Sequence, residues 1–136
     1  MTVDEAIARY PGAITYTPGD SSELNAEIIR LMRQGAKTMT CDAWTSAEAE
    51  GMPVAGRVDI ALDWQGEPAL ATRTLAIERI RYCDMTAERV APQGEFVDLD
   101  DWRRGYRALL SRAGLFHEEV DLMVETFEVV EDFSHV

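Results

Sequence analysis

A period-two run followed at once by a long extended stretch constrains this chain most. From Arg57 to Trp64 polar and apolar residues alternate, with Val58, Ile60, Leu62 and Trp64 on one face and Arg57, Asp59, Ala61 and Asp63 on the other. Gln65-Gly66-Glu67-Pro68 reads as a hairpin turn, and Ala69 to Tyr82 continues as an extended stretch with threonines and arginines interleaved. That stretch is longer than an ordinary strand, which predicts a bend or bulge within it. An amphipathic helix lies on either side of this β-rich block. Before it, Asp20-Ser21-Ser22-Glu23 has the form of a capping box, and Leu24, Ile28, Leu31 and Met32 repeat at helical spacing. After it, Asp98 heads the longest helix. Asp100 and Asp101 in its first turn, with Arg103, Arg104, Arg107 and Arg112 beyond, complement the helix dipole. Leu99, Trp102, Tyr106, Leu109 and Leu110 form its buried stripe, and the arginines form a solvated face.

The remaining segments read as shorter pieces. Residues 3 to 10 form a short helix that stops before Pro11-Gly12, and Ala13 to Tyr16 is a brief strand. Thr38 to Trp44 is a strand with Thr38, Thr40 and Asp42 on one face and Met39, Cys41 and Ala43 on the other. Ser46 to Gly51 reads as an exposed acidic loop. Asp84 caps a short helix ending near Pro92, and a closing strand runs from about Leu122 to Val130. The length suits one α+β domain, residues 13–136, with residues 1–12 as a helical extension.

Charge and composition narrow the function classes. The formal net charge of −12 weighs against tight, sequence-independent binding to a nucleic-acid backbone, but leaves room for a local positive pocket. No apolar run approaches the length of a membrane span. The N-terminus lacks the basic region and apolar core of a secretory signal, so a cytoplasmic protein is expected. Cys41 and Cys83 are far apart and show no metal or redox spacing, so two reduced, packed thiols are expected. His117 and His135 are too widely separated to suggest a metal site. No metal and no cofactor is expected.

The chemistry gathers at Gly35-Ala36-Lys37-Thr38-Met39-Thr40. Lys37 is the chain's one lysine, and every other basic residue is arginine. An ammonium is a compact charge that responds to burial, whereas a guanidinium stays charged and forked. Gly35 stands where a left-handed helix cap belongs, so a strand follows Lys37 rather than a helix. That polarity is opposite to a phosphate-binding loop. Thr40 carries a hydroxyl that needs a neighbouring base before it can act as a nucleophile, and a lysine or a carboxylate can orient it or move protons. The polar turn Gln93-Gly94-Glu95 offers such a carboxylate. A cation merely placed near a helix C-terminus is the plainer account of Lys37.

These segments, in this order, resemble the ASCH domain family, whose fold is similar to the RNA-binding PUA barrel. Pro18-Gly19-Asp20-Ser21 resembles its lead-in to the first helix, and Gly35-x-Lys37-x-x-Thr40 its GxKxxT signature. Met52-Pro53-Val54-Ala55-Gly56 and Gln65-Gly66-Glu67-Pro68 resemble its strand start and hairpin turn. Gln93-Gly94-Glu95 resembles its Glu-Gly-Glu turn, and Asp98 to Arg103 its Trp-Arg helix. Val124 to Val130 resembles its closing strand.

The resemblance implies a PUA-like mixed β-barrel flanked by α-helices, with a cleft around GxKxxT that takes RNA or an RNA-derived modified nucleoside. One branch of the family hydrolyses the acyl amide of N4-acetylcytidine with the motif's lysine and threonine and a glutamate, and RNA cleavage has been attributed to another. By position, Lys37, Thr40 and Glu95 become candidate catalytic residues. Gly35, Thr38, Gln93 and Arg73 become candidate substrate-binding residues. Gln93 stands where the family has its first glutamate, and an amide cannot take a proton. Either Glu95 has taken over, or the protein keeps the pocket as a non-catalytic RNA- or nucleoside-binding or protein-interaction module.

Overall fold

The computed structural model describes residues 1–134. Ten regular elements follow one another: α1 (Val3–Arg9), β1 (Thr15–Tyr16), α2 (Ser22–Arg33), β2 (Met39–Ala43), α3 (Trp44–Glu50), β3 (Val58–Leu62), β4 (Pro68–Arg81), α4 (Ala87–Val90), α5 (Leu99–Arg112) and β5 (Asp121–Asp132). Tyr82–Asp84 and Ala91–Gln93 are single 3₁₀ turns on either side of α4. The strands form one mixed sheet in the order β1-β3-β4-β5-β2. Among the described residues only the β1–β3 pair is parallel. β1 and β2 stand at opposite edges, so the α+β class is as expected but the described strand pairings do not join into a closed ring.

The β3–β4 hairpin is closed as read, with Asp63 Oδ1 accepting from the amides of Gln65 and Glu67. The bend expected in β4 is present as a register shift between Thr74 and Ala76, where Leu75 is the extra residue, and a second shift opposite Ala71 and Thr72 puts its extra residue, Val130, in β5. Each extra residue bends the strand and increases its twist.

Both faces of the sheet are covered. On one face α2 sets Ile28, Ile29 and Met32 against Ala61, Leu70 and Phe127. On the other, Trp102 and Leu110 of α5 pack on Cys41, Ala43, Leu122 and Val124. Trp102 lies between the rings of Tyr82 and Tyr106, at centroid distances of 5.3 and 4.9 Å. Stacked pairs of this kind add about 0.5–1.5 kcal/mol each beyond burial. α1 inserts a fully buried Ala6 against Ile60 and Ala71.

Covering both faces explains a departure in β3. Alternation predicts one buried and one exposed row, yet Ile60 and Ala61 are both 0% exposed, and Trp64, past the strand end, is exposed. Asp59 tolerates burial because Arg57 pairs with it and the amide of Ile14 donates to it.

Other local readings are corrected by the structure. Residues 46–51 are not a loop: α3 runs through 46–50 and Gly51 is its C-cap. Its first turn has no acidic residue and its N-cap, Ala43, makes no side-chain cap bond, so the helix is held by packing of Ala47. Ser21 caps α2 by accepting from the amide of Leu24, while the reciprocal capping box belongs to α1, between Thr2 and Glu5. Thr86, not Asp84, is the N-cap of α4, and Asp84 instead pairs with Arg81. In α5, Leu109 is exposed rather than part of the buried stripe. Cys41 is buried as expected, but Cys83 is exposed.

Candidate active site

The end of α2 aims Lys37 inward. Gly35 takes φ +79°, and the amides of Gly35 and Ala36 bond back to the carbonyls of Met32 and Leu31. That is the paired closure of a Schellman motif, and it spares a left-handed residue the usual Cβ clash. The Lys37 amide also donates to Leu31 O, and the Thr38 amide to Pro92 O. The backbone is thus tied on both sides, and the Lys37 side chain is 3% exposed. Its Nζ donates to Met39 O at 2.8 Å, Gln93 O at 3.2 Å and Glu95 Oε2 at 2.6 Å. An ammonium has three N–H bonds, and here each has an acceptor.

Gly94 makes this possible. It sits at φ +75°, and a Cβ there would lie 2.7 Å from the carbonyl oxygen of Ala36. Only a glycine lets the turn press against the Ala36–Lys37 backbone closely enough for Gln93 O and Glu95 to reach Nζ.

Thr40 and Glu95 open onto one cleft of about 940 Å³. α2 supplies an apolar wall of Leu24, Ile28, Leu31 and Met32, and Phe96, Tyr106 and Leu109 line other parts of it. Tyr106 is held by a hydrogen bond from its hydroxyl to Cys41 O, at 2.8 Å. The charged lining is mostly acidic: Asp20, Glu27, Asp42, Glu50 and Glu95, against Arg112. Burial, with Glu50 beside it, pushes Asp42 up to about 6. Burial also pushes the Cys41 thiol up to about 12, so it is not a nucleophile at neutral pH. Thr40 is not among the partners of Lys37.

A family model for the ASCH domain matches residues 14–131. The chain belongs to the ASCH domain family. An ASCH domain from Lactobacillus crispatus superposes with a TM-score of 0.79 at 22% identity, over 93% of this chain and 84% of that one. A protein from Enterococcus faecalis gives a TM-score of 0.79 at 23% identity, over 96% and 86% of the two chains. The hypothetical protein PH0355 is more distant, with a TM-score of 0.59, 14% identity, and coverage of 87% and 99%. At such identities the likeness is one of fold. The curated proteins contain no significant match.

Within this ASCH domain the motif residues separate into two groups. Thr40 and Glu95 line the cleft, and Lys37, buried behind its wall, is joined to it through Glu95. Gln93 does not: its side chain is 0% exposed and donates to Arg89 O at 2.9 Å. The left-handed Gly94 turns the chain between Gln93 and Glu95, so period-two alternation fails there and the two side chains diverge. What Gln93 contributes at the cleft is its backbone carbonyl, to Lys37. Arg73 lies away from the cleft and pairs with Glu128. Gly35 acts through backbone shape, and the exposed Thr38 through its amide and carbonyl, which bond Pro92 and Phe127.

The ASCH sheet also carries polar groups that the motif does not name. Thr40 pairs across β2 and β5 with Glu125. Thr74 Oγ1 donates to Glu125 Oε2 at 2.7 Å, and Tyr16 and Thr72 share a hydroxyl–hydroxyl bond of 2.8 Å. The alternation of Glu125 within the closing strand is the one sequence signal that pointed to an inward carboxylate, and a dense run of C-terminal acids hid it. His117 is exposed, and His135 lies outside the described residues. No helix among the described residues is long and apolar enough to cross a membrane.

Proposed function

We propose that this ASCH domain hydrolyses an acyl amide on a modified nucleoside of the N4-acetylcytidine kind. The observation that supports it most is the 2.6 Å contact of Lys37 Nζ with Glu95 Oε2, at a cleft that Thr40 also lines. In this reading Glu95 has taken over from the family's first glutamate. Thr40 gives its hydroxyl proton to a neighbouring carboxylate as its oxygen attacks the acyl carbon, and the Lys37–Glu95 pair gives its one transferable proton to the leaving amine. The acyl-threonine is then cleaved by water, which returns a proton to the pair while Thr40 takes back its own. The apolar walls suit a ring, and the acidic lining suits a ligand without phosphate.

A second reading is a binding module. The engagement of all three Lys37 donors favours it, since Lys37 then serves mainly to hold the turn.

Turnover of N4-acetylcytidine by the wild-type protein, Glu95→Gln and Thr40→Val decides between them. Hydrolysis by the wild type, with kcat lower by roughly 100-fold or more in both variants, supports the hydrolase. Saturable nucleoside binding with no release of acetate supports the binding module. Turnover that survives Glu95→Gln removes Glu95 from the chemistry.

A further inference from the structure

Thr40 needs a proton acceptor, and Lys37 is poorly placed to be one. Its three donors are engaged by Met39 O, Gln93 O and Glu95, and Thr40 is not among its partners. A charged ammonium has no lone pair with which to take a proton.

The register of the sheet offers another group. β2 and β5 are antiparallel, with Thr40 directly opposite Glu125 and Asp42 opposite Met123. Directly opposed residues share a face, with Cβ atoms about 4.5–5.5 Å apart. Phe127, two residues beyond Glu125 on the same face, lines the cleft together with Thr40, which places that face at the cleft floor. Glu125 is held from its far side by the Thr74 hydroxyl, which donates to Oε2. That bond engages one carboxyl oxygen, and the hydrogen bonds of the described residues leave the other without a partner; Thr40 and Glu125 are brought together by register and are not themselves hydrogen-bonded.

We infer that Glu125 is a further catalytic residue, the base that takes the hydroxyl proton of Thr40. This rests on the reading of Thr40 as the attacking group. The Thr40 O–H bond breaks, its proton passes to the Glu125 carboxylate, and the oxygen forms a bond to the acyl carbon. The C–N bond then breaks and the nitrogen takes a proton from the Lys37–Glu95 pair. In the second half water adds to the acyl carbon and gives its proton to that pair, and Thr40 leaves with the proton held by Glu125. One water is consumed, and both carboxylates and the lysine return to their starting states.

The surroundings of Glu125 suit a base. Burial is the largest influence and raises its carboxyl above the usual carboxylate value. The Thr74 hydrogen bond acts in the opposite direction, Asp59 raises it further, and Lys37 and Arg57 lower it. Tyr16 faces the same group from β1 and feels its charge. A carboxylate raised toward neutrality is a better proton acceptor at working pH.

The test uses p-nitrophenyl acetate, an activated acyl donor that needs no nucleoside recognition, with acetyl-Thr40 located by mass spectrometry. The wild-type protein should acetylate Thr40 at a rate that rises with pH through the ionisation of Glu125. Glu125→Gln should lower that rate roughly 100-fold or more while unfolding as the wild type does. Thr74→Val keeps the carboxylate but removes the bond that holds its pKa down, so the rising limb should move to higher pH. A merely structural Glu125 would leave that limb where it is. Acetylation of Thr40 in Glu125→Gln at the wild-type rate, an unmoved limb in Thr74→Val, or no acetyl-Thr40 in the wild type each overturns the inference. Acetyl-Thr40 that depends on Glu125, in a protein inert toward N4-acetylcytidine, upholds the base and rejects the proposed ligand.

Discussion

Burial, then the Glu50 carboxylate, raise Asp42 from 3.8 to about 6. A raised acid binds its proton more tightly in the folded than in the unfolded state. Its contribution to stability is therefore complete below pH 3.8 and is lost as pH rises through about 6. Asp42→Asn removes that dependence. With solvent screening at a partly exposed site, the variant should gain about 1–2 kcal/mol over the wild type at pH 7, relative to pH 4. Urea unfolding at the two pH values measures it, and a pH-independent difference would contradict the assignment. At this scale the sequence was legible where a residue type is unusual. A lone lysine two residues past a helix-stopping glycine marks Lys37, and alternation from Thr38 puts Thr40 and Asp42 on one face, as found. Glu125 was not legible in the same way, because its place beside Thr40 depends on a pairing between strands far apart in the chain.

Elements were read correctly where the chain carries its own punctuation. The hairpin turn, the Gly35 cap and the Asp98 cap are local, and each sits where its residues put it. α3 was missed because it has no capping side chain and no charge pattern along its axis, so packing of Ala47 decides it. The turn at Gly94 was read as a turn, but its pressure on the Ala36 carbonyl is a contact between distant segments. Two substitutions separate these contributions. Gly35 and Gly94 have φ +79° and +75°, but a Cβ at Gly35 meets nothing within 4 Å. Gly35→Ala should cost about 1 kcal/mol of stability, from backbone strain alone. Gly94→Ala adds a backbone clash, should cost about 2–3 kcal/mol, and should draw Glu95 away from Lys37. Chemical denaturation of both gives the comparison, and equal costs would mean that the close approach is unimportant.

For the whole molecule, charge outweighs topology in choosing ligands. A net charge of −12, with a cleft lined by five carboxylates against one arginine, opposes phosphate. If the cleft takes nucleosides, a nucleoside 5′-phosphate should bind about 5–10-fold more weakly than the free nucleoside at low salt, and the gap should narrow as salt screens the lining. Calorimetry at two ionic strengths tests this, and preferential binding of the phosphate would reverse the picture. RNA affinity, where present, should be weak and lost with salt.

β2, which carries Thr40, has one hydrogen-bonded neighbour in the sheet, and that neighbour is β5. During synthesis, Lys37 and Thr40 leave the ribosome long before residues 121–132 exist. Until then the strand that bears the motif has nothing to pair with, and Glu125 is not yet part of the chain. The long-range closure that this demands is slow compared with helix formation, because the entropy of joining distant segments is lost before their contacts form. The β5 side of the cleft, where Phe127 sits, is therefore the last part to form. It comes into being in a single late event, when the last strand slots between two that are already waiting.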